Sequence, residues 1–347
     1  MSDTVVLSNG ARRAWQVVQG VVFLVGVVIV AALLFAPATG LFLLWDVLIP
    51  VAPLLLVVAP GVWRNVCPLG TFSVLPSQLK LSRRLHVSRA WQSRLLAIAV
   101  ALLLIIVPLR HPLLDRYGVV TGIVLLVVAL AAIGLGSVFD LKSAWCSGLC
   151  PVYPVELLYG SRPVIPVPNV QCRVCTACVA PCRDSRPGIT PTDAARTGSG
   201  RAAAELLVGG FPGFVLGWYL VELHPGWTPV RQVLQSYALP FAGLAATFAI
   251  YLVLRRVLPQ SRTFLERAFA AAAIVIYYWF KLPVVFGMTG DGTHALIMLK
   301  GTLPAWSVWA LRSMMSLLLI YLLLARTAGA GWSPRPPAAP VVTTQAS

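Results

Sequence analysis

Residues 14–37 read AWQVVQGVVFLVGVVIVAALLFAP, and none of them is charged. A hydrocarbon core of about 30 Å is crossed by about 20 apolar residues in a helix. This run is long enough to cross it and too long for the apolar core of a secretory leader. Arg12 and Arg13 precede it and APAT at 36–39 resembles a cleavage site, yet the length marks it as a retained span. Outward from this run the pattern recurs. Eight spans are expected, at 15–37, 41–60, 94–110, 118–138, 204–222, 233–254, 268–287 and 304–325. The fold class is therefore an all-α integral membrane protein of about eight transmembrane helices.

Composition agrees. Hydrophobic residues make up 58% of the 347, charged residues 11%, and mean hydropathy is +0.83. So little polar surface cannot cover a water-soluble globule of this size. The formal charge of +16 is not a nucleic-acid footprint, because the basic residues gather in short interhelical segments. With the N-terminus inside, 12–13, 61–94, 140–201, 255–267 and 326–335 fall on the cytoplasmic side, and they hold 21 of the 27 Lys and Arg. Both termini and every cysteine then face the cytoplasm, in a bacterial inner membrane. The expected layout is a short cytoplasmic N-terminus (1–14), two helical hairpins (15–139) with a Cys-Pro loop at 61–93, a cytoplasmic cluster-binding segment (140–203), four further spans (204–326) and a disordered tail (327–347).

The chemistry lies in QCRVCTACVAPCRD, residues 171–184. Cys172, Cys175, Cys178 and Cys182 follow C-x2-C-x2-C-x3-C, the ferredoxin pattern in which three thiolates wrap one cluster and the fourth reaches toward another. The triplet needs a distant fourth cysteine. Cys67 and Cys150, each followed by proline, and Cys146 are the available residues. The count of seven and the tight spacing argue against a disulfide framework. Zinc and unligated cysteines stay open as alternatives, although zinc sites usually pair two separate C-x-x-C knuckles. One [4Fe–4S] cluster is expected. A second, built from Cys182, Cys146 and one or both Cys-Pro cysteines, is an open alternative. Arg173, Arg183 and Arg186 nearby would favour its reduced state.

A weak repeat accompanies these residues. Spans one and two end at VWRNVCPLGTF (62–72), and spans three and four at AWCSGLCPVYP (144–154), with Trp63 in the first copy where the second has Cys146. Paired spans, CSGLCP and CRVCTACVAPC together resemble the membrane polyferredoxins of the NapH and NosR type, over about residues 15–190. The resemblance implies an iron–sulfur electron-transfer protein that draws on the quinol pool and serves a partner redox enzyme. The alternative is a cluster-based redox sensor or a metalloenzyme assembly factor.

Ionisable residues inside spans are costly and mark sites by default. Asp46, Lys281 and Arg312 fall in the outer half of the membrane, Glu222 and His224 at the outer end of span five, and His111, Asp291 and His294 in outer loops. Two readings stand: an outer-face quinol or partner site, or an ion pair of Asp46 with Lys281 or Arg312 that holds the bundle. No histidine lies mid-membrane, which argues against a bis-His haem.

Overall fold

The computed structural model describes residues 9–167, 188–195 and 198–326. Among them the elements are helical, with one isolated parallel bridge between Leu85 and Phe139. Eight helices are long and apolar enough to cross a membrane: Arg13–Phe35, Pro37–Val58, Arg89–Leu114, Gly118–Val138, Gly198–Tyr219, Pro229–Val257, Pro259–Val285 and Ser307–Ala325. They match the eight expected runs in order, and their ends shift by up to nine residues. The shift is largest where polar or proline-bearing turns at the helix ends continue the helix without adding hydropathy. The outer faces carry large exposed apolar side chains, such as Val21, Leu24, Leu130 and Leu317. A surface of that kind suits lipid rather than water.

Span five has the lowest hydropathy, 1.2, yet it is the most enclosed by the other helices. Its glycines explain both facts. Glycine adds little hydropathy but lets another helix come close. A Cβ on Gly213 would sit 2.0 Å from the carbonyl oxygen of Gly243 in span six. Spans three, six and seven pack around it. Phe211 and Phe214 of span five join Leu244, Tyr251, Ile274 and Tyr278 in the main core.

Proline punctuates the first half of the chain. A residue before proline is pushed out of the helical region, and proline itself is well placed at a first helical position. Ala36 (φ −137°, ψ 68°) and Ala59 (φ −148°, ψ 69°) each end one helix before a proline opens the next. The expected Cys-Pro loop at 61–93 is accordingly helical over much of its length, as Pro60–Val66 and Pro68–Gln78. The second of these lies flat against span four. A Cβ on Gly136 would meet the Ser73 carbonyl oxygen at 2.0 Å, and Ser73 Oγ donates to the Leu141 carbonyl at 2.9 Å.

Candidate metal centre

Cys67 and Cys150 occupy the same place in the two copies of the repeat. Each precedes a proline and takes the same extended backbone, φ −55°, ψ 123° at Cys67 and φ −59°, ψ 123° at Cys150. Each closes a short helical turn, Pro60–Val66 in the first copy and the π-helical Trp145–Leu149 in the second. Each also leads into a new helix, Pro68–Gln78 directly and Tyr153–Tyr159 after a two-residue turn. Cys146 sits in the π turn of the second copy.

The fold brings these three cysteines together from positions up to 83 residues apart in sequence. A Cβ on Gly70 would lie 3.6 Å from Cys146 Sγ and 3.6 Å from Cys67 Cβ, so both residues border the same small space. The thiols of Cys67, Cys146 and Cys150 act on one another electrostatically in all three pairings. All three are half-buried residues and form no disulfide among the described residues. Cys172, Cys175, Cys178 and Cys182 lie outside the described residues. Among the described residues no three His, Cys, Asp or Glu side chains converge as a single-ion site requires.

A buried polar layer fixes the backbone that carries them. Arg64, three residues before Cys67, extends Nη1 to both carboxylate oxygens of Glu156 at 3.2 and 3.3 Å. Its Nη2 donates to Ser147 Oγ at 3.0 Å, and Ser147 is three residues before Cys150. Equivalent positions of the two repeats thus touch. Gln92 of span three donates from Nε2 to the Ser147 carbonyl at 3.2 Å. Arg64 and Glu156 are 4% and 3% exposed, so neither charge is solvated. Each carboxylate oxygen and guanidinium nitrogen that enters this layer needs its partner there.

Lys142 is buried too, and its ammonium donates to the carbonyl of Arg64. It makes no ion pair with a carboxylate among the described residues. Its Cε would be 3.8 Å from a Cβ on Gly70, in the same space as Cys67 and Cys146. Burial pushes the Cys67 thiol up, and the amides of Gly70 and Leu69 together with Lys142 offset part of the rise. Burial likewise lifts Cys146 to about 12, against the pull of Lys142 and Arg64. Cys150 is raised as well, by burial first and by the other two thiols next. Left to themselves the three thiols hold their protons at neutral pH. A bound cationic centre would favour the thiolate at each of them.

The donor set fits iron–sulfur ligation on these grounds. Cys67 and Cys146 border one space lined by Lys142, Cys150 lies within electrostatic reach of both thiols, Arg64 acts on Cys146, and the Gly70 and Leu69 amides favour negative charge on Cys67. The cysteine spacing was readable in the sequence, but Arg64, Lys142, Ser147 and Glu156 were not singled out. The available signal was an arginine three residues before a Cys-Pro at the end of an apolar run.

No family model, curated protein or solved structure matches this chain.

A second polar layer lies toward the other end of the spans. Asp46 is buried in the π-helical turn Leu43–Leu48. Lys281 Nζ reaches its Oδ1 at 2.7 Å and His294 Nδ1 its Oδ2 at 2.9 Å. Of the two readings open for this carboxylate, the ion pair with Lys281 is formed. Arg312 does not join it. That guanidinium donates to the Trp279 carbonyl at 2.9 Å and lies over the rings of Trp279 and Trp309. His111 is not in a loop: it belongs to the π-helical turn Arg110–Leu114 that continues span three. Its ring stacks on Trp218 and its Nε2 is 3.0 Å from the Trp218 carbonyl. His224 is exposed beside Trp227, as is Glu222 on the same loop.

The hydrogen bond to the Asp46 carboxylate is the largest influence on His294 and holds it above the ordinary imidazole value of about 6.5, with burial pulling the other way. A raised pKa in the folded protein means that protonation stabilises the fold. That contribution is complete below the unfolded value and is lost as pH rises through the folded one. The midpoint of thermal unfolding is accordingly expected to fall in wild type as pH rises above the ordinary imidazole value of about 6.5. The fall should be smaller in His294→Ala, and equal slopes in the two proteins would show that the His294–Asp46 pair contributes nothing.

Proposed function

We propose that this chain is an iron–sulfur electron-transfer protein of the bacterial inner membrane. It relays single electrons between a quinol or cytoplasmic donor and a partner redox enzyme. Both termini and the cysteine layer lie on the cytoplasmic side, where the basic residues gather. The observation that carries the reading is that Cys67 and Cys146, from two separate hairpins, border one space lined by Lys142, with Cys150 within electrostatic reach of both thiols. Two hairpins that merely packed together would have no reason to bring two thiols to one point beside an ammonium that has no carboxylate partner among the described residues.

The upstream thiols together with those at 172, 175, 178 and 182 would hold one [4Fe–4S] cluster, or two. A bound cluster of this type supplies one-electron transfer without proton movement. Arg64 and Glu156 hold the two Cys-Pro turns in register, and Lys142 supplies a fixed positive charge that favours an anionic ligand set. Asp46 is separated from the break at Ala59 by about 20 Å of helix. A quinol that delivers electrons to the cysteines therefore binds on their side of the membrane, and the Asp46 layer is read as a structural latch.

The test is iron and acid-labile sulfide per chain on protein purified without oxygen, with EPR spectra after dithionite reduction. About four irons indicate one cluster and about eight indicate two. Zinc without sulfide would remove the electron-transfer reading. Clusters that cycle but pass no electrons to a soluble quinone analogue or from a quinol would shift the function to sensing or metalloenzyme assembly.

A further inference from the structure

Three arginines at the cysteine end of the bundle have no carboxylate partner among the described residues. Arg162 follows the helix Tyr153–Tyr159, Arg267 lies in the early turns of span seven, and Arg326 ends span eight. They are grouped in space. Arg326 Nη2 donates to the carbonyls of Arg162 and Pro163 at 3.0 and 2.7 Å, and Arg162 Nη1 donates to the Leu324 carbonyl at 3.3 Å. Arg162 is within electrostatic reach of Arg267. The Nε atoms of all three are buried without a hydrogen-bond partner, and the Arg267 guanidinium makes no hydrogen bond at all among the described residues.

The nearby carboxylates are already committed. Glu266 accepts from Thr192 Oγ1 at 2.6 Å and from Arg262 Nε at 3.2 Å, while Glu205 holds Arg201 and Arg255 at 2.6 and 2.8 Å. Three cations brought together with buried, unused donors leave an anion missing from the account. A guanidinium presents a planar fork of donors that matches phosphate oxygens. The location decides between anions. Arg267 and Arg326 sit at the membrane-facing ends of two spans whose outer faces continue as exposed Phe264, Leu317, Leu318 and Tyr321. Acyl chains can lie along that apolar face while the phosphate meets the arginines, the arrangement expected of basic pockets between transmembrane helices.

We propose that Arg162, Arg267 and Arg326 form a site for the phosphodiester headgroup of an anionic membrane lipid. The experiment uses the full-length protein, stripped of lipid in a neutral detergent. Its thermal unfolding midpoint is followed as phosphatidylglycerol, phosphatidylcholine or inorganic phosphate is added. Phosphatidylglycerol is expected to raise the midpoint by several degrees in a saturable way, and phosphatidylcholine to leave it unchanged. Arg267→Gln and Arg326→Gln should each lose most of that rise, Arg267→Lys should keep part of it, and Arg83→Gln, at an exposed site, should keep all of it. Inorganic phosphate that matches phosphatidylglycerol would assign the site to a soluble anion and overturn the lipid. Phosphatidylcholine matching phosphatidylglycerol in wild type, a measurement that needs no variant, would overturn the site itself. The same rise in the glutamine variants as in wild type would do so too.

Discussion

Cys67→Ala, Cys150→Ala or both should strip about four irons and an equal number of sulfides from the chain, both doing so where each cysteine closes a cluster of its own. The expectation comes from the matched geometry of the two residues, which share one backbone conformation and one kind of following helix. Alanine fits the extended conformation before proline as well as cysteine does, so the loss would reflect a missing ligand rather than a broken turn. If the protein holds a single cluster, the two cysteines cannot both be required as its fourth ligand, and one variant would keep its iron. Losses in both variants that leave a residual cluster would establish two. Unchanged iron in both would mean that the upstream cysteines are not ligands and that the proposal fails at its first step. Iron and sulfide assays on protein purified without oxygen decide among these outcomes.

Arg64→Met should be among the most damaging single changes away from the cysteines. It leaves the Glu156 carboxylate buried without the guanidinium that now bonds both of its oxygens. Breaking a buried pair by removing one partner costs about 3–5 kcal/mol, more than replacing the whole pair by apolar groups of similar size. The double change Arg64→Met with Glu156→Met should therefore recover much of the stability that Arg64→Met loses. Thermal unfolding midpoints of the four proteins in one detergent complete the cycle. If the double variant is no more stable than Arg64→Met alone, the pair is not what holds the two turns, and Ser147 or Lys142 carries that role.

The spans were legible because membrane crossing imposes length and hydropathy on a sequence directly. Residues 118–138 coincide with the observed span four, and even the glycine-rich run at 204–222 marked span five despite its weak hydropathy. The reason for that weakness was out of view, since the partner of Gly213 is Gly243 on another helix. Cysteine spacing was legible because cluster chemistry fixes it locally. The buried layer was not, because Arg64 and Glu156 are 92 residues apart and nothing near either one names the other. The π-helical turns that carry Asp46, His111 and Cys146 were equally hidden, as one inserted residue in a helical turn leaves no periodic trace. The ion pair of Asp46, one of the two readings open for it, needed the position of Lys281, 235 residues away, to be seen.

The contact between Arg64 and Ser147 bears on how such a molecule could arise. These residues hold equivalent places in the two hairpins, and they meet. A homodimer of one hairpin, joined across the same surface, would have to set the residue against itself. Arginine would face arginine in a buried layer with two like charges, or serine would face serine with no cation for Glu156. Fusing the copies into one polypeptide removes that constraint, because each position can then diverge alone. Cys146 opposite Trp63 is the same freedom exercised one residue earlier. The asymmetry of the site is thus one that a single polypeptide carrying both hairpins can hold and two identical hairpins could not.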